Sequence, residues 1–237
     1  MSNRENIIRI QAVNQALGEL REKVVFVGGA TISLYADRQI FEVRPTDDVD
    51  IIVEILNYSQ RAELEEKLRS LGFNHAIHSP VVCRFMIQGI TVDIMPTNDP
   101  SIGFVNRWYP EGFTRAIHHR FDENNNSIKI LSAPYFIATK MEAFKSRGKG
   151  NGRMSHDFED IVYVLENRES VWNELNSLNG AIKEYLVQEF AELLKNRNLF
   201  DWIDGHVERG SPPATSHIIG QLENFCINND KKISRKR

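Results

Sequence analysis

Asp48 and Asp50 stand two residues apart within an apolar run that continues through Val49, Ile51, Ile52 and Val53. On an extended strand residues i and i+2 share a face. The spacing therefore predicts two carboxylates side by side, with Val49, Ile51 and Val53 turned to the other face as core. Neighbouring carboxylates repel and a hydrophobic core has no use for them. A divalent cation relieves the repulsion, and oxygen-only ligands suit Mg²⁺ or Mn²⁺. The plainer reading ends a loop at Asp47-Asp48 and leaves Asp50 solvated on a sheet edge, and for an isolated D-x-D pair it is the commoner one. Context shifts the balance. Val24 to Val27 is an apolar run of strand type, Gly28-Gly29 follows it, and a later strand pattern, Ile90 to Pro96, carries Asp93 as a lone carboxylate among apolar residues. Three such acids in an α/β unit with a Gly-Gly turn point to a two-metal phosphoryl-transfer site.

The residues around the acids carry their own alternatives. Gly28-Gly29 after a strand and before a helical segment, Ala30 to Ala36, lets a backbone approach a ligand and leaves amides near a helix N-terminus, a cradle for a triphosphate; the same pair also makes an ordinary tight turn. Thr46 could fix the loop that aims Asp48. Arg44 could reach a phosphate or pair with Asp47. Val81 to Met86 and Thr91 to Met95 read as a hairpin about Gln88-Gly89, which places Asp93 in the sheet near the D-x-D strand. Trp108-Tyr109 beside Arg107 could stack a base, but reads better as a plug at the rim of the core.

Elsewhere the periodicity predicts helices over Ile7–Leu20 and Ser59–Leu71, the latter with Ser59 as N-cap and Gly72 as terminator. Phe73 to Pro80 reads as a loop with exposed His75 and His78, residues 122–126 as a turn, and Ser127 to Leu131 as a last short strand. Pro134 to Lys145 is a helix in which Ile137, Met141 and Phe144 have core spacing and Lys140 lies beside that stripe. Lys145 to Arg153, rich in Gly and bases, reads as a mobile loop that folds over a phosphate or stays solvated. Ser155 caps a helix whose first turn carries Asp157 and Glu159, acids that complement the helix dipole. Helical segments follow at Ser170–Leu178, Ile182–Leu194, Leu199–Ile203 and Ser216–Ile227, with a break at 210–214.

The 237 residues suffice to bury a real core. The formal net charge of −3 gives no global basic character, but charge is uneven. Arg107 to Arg153 holds nine Lys/Arg against four Asp/Glu, and Ser155 to Gly210 holds five against twelve. The first stretch favours phosphates or RNA; the second suits a cationic substrate, a partner, or plain solvated helix faces. Cys83 and Cys226 lack metal-type spacing and read as reduced thiols. No apolar run approaches a membrane span and the N-terminus has no apolar leader, so a cytoplasmic protein is expected.

The order strand, Gly28-Gly29, helix, Asp48-x-Asp50 on the next strand and Asp93 on a later one resembles the DNA polymerase β-type nucleotidyltransferase superfamily. Arg44-Pro45-Thr46 before the acids, Ala138 to Arg147 with Lys140 in it, and His156-Asp157 through Asp160-Ile161 look like its AbiEii abortive-infection toxin branch, over roughly Val24 to Leu165. The resemblance implies an α+β fold: a small mixed nucleotidyltransferase sheet flanked by helices over residues 1–132 and a helical part over 133–228; the end, 229–237, reads from its own residues as a disordered basic tail. The resemblance also implies metal-dependent transfer of a nucleoside monophosphate from an NTP to an acceptor hydroxyl. Asp48, Asp50 and Asp93 would hold Mg²⁺ or Mn²⁺, and Gly28, Gly29, Arg44, Thr46 and Lys140 would bind nucleotide. Asp157, Asp160 and Arg147 would support the site by orienting Lys140 or the basic loop. The implied acceptor is an RNA end, tRNA in particular, and the implied partner an antitoxin protein. Two rivals remain: a small-molecule nucleotidyltransferase of the aminoglycoside type, and a catalytically silent module that binds nucleotide or a partner.

Overall fold

The computed structural model describes residues 2–37, 43–55, 58–98, 106–121, 126–208 and 215–234. The chain forms two compact units, one built from residues 1–34 and 40–132, the other from residues 35–39 and 133–237. The turn expected at 122–126 lies almost wholly outside the described residues, as do the break at 210–214 and positions 235–237.

Among the described residues the first unit holds a seven-stranded mixed sheet in the order β3-β4-β5-β2-β1-β7-β6. The strands are β1 (Val24–Val27), β2 (Asp48–Val53), β3 (Asn74–His75), β4 (Arg84–Ile87), β5 (Ile90–Pro96), β6 (Ile117–Arg120) and β7 (Ser127–Ile130). β1 is an interior strand, between β2 and β7, and its unbroken apolar run fits that place: all four residues are buried, as strands covered on both faces require. β2 runs antiparallel to β1 and parallel to β5. A parallel pair needs a long crossover, and helix α2 (Tyr58–Ser70) is part of it. Its end is set by Gly72 at φ +91°. The Phe73 amide reaches back to the Leu68 carbonyl and the Gly72 amide to that of Arg69, both at 3.0 Å, which satisfies carbonyls left over by the helix. Ser59 is not the N-cap the sequence suggests; it lies inside α2 and its hydroxyl bonds Glu63 at 3.1 Å.

The hairpin between β4 and β5 turns on Gln88 and Gly89, both at positive φ, the tight two-residue form that matches strand twist. Helix α1 covers Ser2–Ala16, earlier than the periodicity places it, and a 3₁₀ helix, Gly18–Lys23, leads into β1. The segment after Gly28 is also 3₁₀, Gly29–Tyr35. The stretch read as a loop at Phe73 to Pro80 contributes β3, where His75 stacks on Phe85. Trp108 is buried before the short helix α3 (Tyr109–Thr114), as a rim plug would be, with Arg107 over its ring.

The second unit is helical: α4 (Ala133–Arg147), α5 (His156–Asn167), α6 (Val171–Ser177), α7 (Ala181–Leu194), α8 (Leu199–Asp204) and α9 (Thr215–Ser234). Phe144, Phe158 and Trp202 pack ring on ring in its core. Tyr35 belongs to this unit and stacks on Phe136. Ser155 caps α5 by accepting from the Phe158 amide at 3.3 Å. Helix α9 continues through residues 229–234, which the sequence assigned to a disordered tail.

Candidate active site

β2 alternates as its sequence demands. Val49 and Ile51 are buried, while Asp48 and Asp50 are half-buried on the opposite face. β5 lies beside it in parallel, and the register sets Asp50 against Asp93. Three carboxylates therefore gather at one end of two adjacent strands, each supplied by the strand period and a fixed register.

Two packing arrangements position these acids. The first involves Gly28, at the end of β1 with φ +73°. A Cβ there would fall 1.9 Å from Asp50 Oδ2 and 2.7 Å from its Cγ. Asp50 thus lies directly on the glycine, and the turn that follows is held by Thr31, whose hydroxyl donates to the Gly28 carbonyl at 2.9 Å. The second fixes the loop before β2. Thr46, buried, donates its amide and hydroxyl to Asn6 Oδ1 at 3.3 and 3.2 Å. Asn6 Nδ2 donates to the Arg44 carbonyl at 3.3 Å, and Arg9 donates to that of Thr46. Helix α1 thereby holds the backbone that leads into Asp48. Asp47 is exposed.

A cation already sits among the acids. Arg84 Nε donates to Asp93 Oδ1 at 2.8 Å, and its Nη2 donates to Asp93 Oδ2 at 2.8 Å and Asp48 Oδ2 at 2.9 Å. The acids hold the guanidinium firmly protonated, above all through the Asp93 hydrogen bonds. Burial, then the Asp93 charge, pushes the Asp48 carboxyl above the usual carboxylate range, although Arg84 pulls the other way. Burial and the Asp93 charge also push the neighbouring Cys83 thiol up to about 11. The donor set has the chemistry a hard divalent cation needs, and Arg84 shows that Asp48 and Asp93 can converge on one positive centre. Among the described residues no three acids, His or Cys stand as a preassembled metal cluster.

The remaining expected residues form a second charged cluster, within the helical unit. Lys140 on α4 is buried rather than beside the core stripe, with Nζ 2.5 Å from Asp160 and 3.4 Å from Asp157. Asp157 and Asp160 lie three apart on α5, hence on one face. Arg147 grips Asp157 with two bonds of 2.7 Å while its own side chain stays 71% exposed. Burial alone would raise the Asp157 carboxyl. The Arg147 hydrogen bonds and the Lys140 charge outweigh it and hold the group below the usual range. The stretch read as a mobile basic loop holds the end of α4, a turn over residues 148–151 and a 3₁₀ helix, Gly152–Met154. Lys145 in it pairs with Glu189 at 2.5 Å.

The AbiEii sequence family, described as a nucleotidyl transferase toxin of a type IV toxin–antitoxin system, matches residues 12–204. This chain belongs to the AbiEii family. It is a nucleotidyltransferase, and the matched span includes every residue singled out above for the site except Asn6 and Arg9. No curated protein matches the chain. An antigenic nucleotidyltransferase-like protein from Paracoccidioides brasiliensis shares the fold at TM-score 0.52 and 15% identity, over 88% of this chain and 96% of that one. The antibiotic-resistance factor ANT(2'')-Ia is similar at TM-score 0.45 and 15% identity, over 81% and 96% of the two chains. A STING-associated CdnE c-di-GMP synthase from Capnocytophaga granulosa follows at TM-score 0.31 and 13% identity, over 96% and 83%.

Sequence reasoning missed Arg84, Asn6, Thr31 and Arg9. A signal for Arg84 existed. Once the hairpin turns on Gln88-Gly89, counting outward from Ile87 and Ile90 sets Arg84 opposite Asp93.

Proposed function

We propose that this AbiEii-family chain transfers a nucleoside monophosphate from an NTP to a hydroxyl of an RNA end, tRNA among the candidates, as the toxin of a toxin–antitoxin pair. The observation that carries the reaction type is the gathering of Asp48, Asp50 and Asp93 in register on β2 and β5 beside the Gly28 turn. In this reading Asp48, Asp50 and Asp93 hold Mg²⁺ or Mn²⁺. Bound by these carboxylates, such a cation would supply positive charge for the phosphoryl oxygens and the leaving pyrophosphate. Asp93 takes the proton of the attacking hydroxyl. The Gly28-Gly29 turn keeps Asp50 in place and leaves backbone close to the triphosphate, with Arg44 and Thr46 shaping the loop beside it. Lys140, expected from the sequence among the phosphate contacts, is buried against Asp157 and Asp160 within the helical unit, with Arg147 on Asp157, and is left out of the proposed phosphate contacts. Catalysis of this kind rests on positioning and charge neutralisation, so a few fixed residues suffice.

The RNA acceptor rests on family membership and on one surface of the first unit. A groove of about 640 Å³ is lined by Arg21, Glu22, His118 and Arg120 with Asn14, Asn126 and Ser127; Glu22 pairs with Arg21 at 3.6 Å, and Arg120 with His118 is what a phosphate backbone would meet there. No described helix is long and apolar enough to cross a membrane. A small-molecule acceptor is the second reading, favoured by the acidic composition of Ser155 to Gly210. Much of that charge is neutralised internally, however, since Asp157, Glu174, Glu189 and Glu192 are each ion-paired. The test incubates purified protein and Mg²⁺ with each α-labelled NTP, with total RNA in one arm and aminoglycosides in another. Label in RNA supports the proposal; label only in the small molecule replaces the acceptor; label in neither, with each of the four NTPs, refutes both.

A further inference from the structure

Arg84 stands where the proposed chemistry needs a metal. Its guanidinium makes three bonds of 2.8–2.9 Å to Asp93 and Asp48, all within the charge-assisted range. The sheet delivers it there: Arg84 pairs with Asp93 across β4 and β5, and Asp93 lies beside Asp50 across β5 and β2. No long or irregular segment intervenes, so the contact is as well defined as the strand register. Its side chain is 27% exposed, so it is not sealed from solvent.

We infer, resting on the metal-dependent reading above, that Arg84 is an internal counter-ion that a divalent cation must displace from Asp48 and Asp93 in order to bind. The same carboxylate oxygens serve both. With the guanidinium in place, the acids are partly neutralised and an incoming cation meets a positive charge. With it gone, Asp48 and Asp93 face each other uncompensated and attract a cation more strongly, but the metal-free sheet loses the bonds that tie β4 to β5 and β2. Arg84 is thus a positioning residue: it keeps the acids converged before metal arrives, at the expense of metal affinity.

The test measures Mn²⁺ alone, without nucleotide, binding to the full chain by calorimetry and by electron paramagnetic resonance. Wild type is compared with Arg84→Gln and Arg84→Lys. Arg84→Gln is expected to bind Mn²⁺ at least about tenfold more tightly, equivalent to about 1.4 kcal/mol and so less than one charge-assisted hydrogen bond. Its melting temperature without metal is expected to fall and to recover most of the difference at saturating Mn²⁺. Arg84→Lys keeps the charge but not the fork that spans two carboxylates, and is expected to lie between. It also carries the test if Arg84→Gln does not fold: tightening supports the inference, and none overturns it. Unchanged or weaker Mn²⁺ affinity in Arg84→Gln overturns the counter-ion role and leaves the metal site standing. Absence of Mn²⁺ binding by wild type and both variants overturns the metal site, and the counter-ion role with it.

Discussion

Gly28→Ala is the most informative single change in the first unit, because two independent costs meet at one atom. The backbone there has φ +73°, a conformation that costs a non-glycine residue about 1–3 kcal/mol. The added methyl would also lie 1.9 Å from Asp50 Oδ2, 2.7 Å from Cγ and 2.9 Å from Cβ. Because even the Asp50 Cβ is too close, rotating the carboxylate away does not relieve the contact, and β1 or β2 must move. Overpacking of this kind typically costs a further 1–3 kcal/mol or so. A shift near 1 Å at a catalytic carboxylate is enough to lower turnover about a hundredfold. Gly28→Ala should therefore lower both stability in urea and transfer rate. In the double variant Gly28→Ala/Asp50→Ala the two closest contacts vanish and the 2.9 Å Cβ contact remains. The stability cost of the alanine, measured in the Asp50→Ala background, should then drop but stay above the backbone part, because the 2.9 Å contact still forces a shift, giving a coupling energy of about 1 kcal/mol. Additive effects of the two substitutions would refute the claim that Gly28 exists to seat Asp50.

The acids themselves should respond oppositely. Asp48→Asn is expected to leave melting temperature unchanged or raised, since burial and Asp93 disfavour its charge. Asp93→Asn should lower it, losing charge-assisted bonds to Arg84 worth about 1.5–3 kcal/mol each; both should abolish transfer. In the helical unit, Lys140→Ala strips a buried cation from Asp160 and Asp157 and should cost about 3–5 kcal/mol; Arg147→Ala, with its side chain 71% exposed, should cost clearly less by the same denaturation assay. The Asp157 carboxyl titrates below its usual range. Its contribution is full above the unfolded carboxylate value of about 3.9 and is lost as pH falls through the folded one. The gap in melting temperature between wild type and Asp157→Asn should therefore narrow as pH drops below about 4. For an RNA acceptor, log Kd against log salt should have a slope of about 0.7 per neutralised phosphate on a single strand. Replacing Arg21 and Arg120 together should flatten it, and an unchanged slope would remove the groove from the acceptor path.

The part of the site that was legible in the sequence is the part written in local patterns. Asp48 and Asp50 declare themselves because alternation on a strand leaves a pair of carboxylates on one face. Gly28 and Asp93 follow from turn chemistry and a lone acid in an apolar run. What local patterns do not carry is the identity of distant partners. Arg84 looks like any strand arginine until the register opposes it to Asp93. Asn6 reaches Thr46 across 40 positions, and nothing near Asn6 announces this. Lys140 was misplaced for a related reason. Helical periodicity treats a lysine as a surface residue, and only the pairing of α4 with Asp157 and Asp160 lets its charge be buried. The basic stretch from Arg107 to Arg153 misled similarly, because charge counts ignore that Lys140, Lys145 and Arg147 are spent on acids of their own unit.

Asp48, Asp50 and Asp93 are proposed as a cation-dependent nucleotidyl-transfer site. Asp50 tests it most cleanly, because Asp48 and Asp93 also serve Arg84. The decisive measurement is incorporation of α-labelled NTP into total RNA by wild type and Asp50→Asn, each with Mg²⁺ or excess EDTA, with melting temperatures checked in parallel. Label is expected only from wild type with Mg²⁺, and the Asp50→Asn protein is expected to stay folded. Near-wild-type labelling by Asp50→Asn, or labelling by wild type in EDTA, would contradict the proposed site.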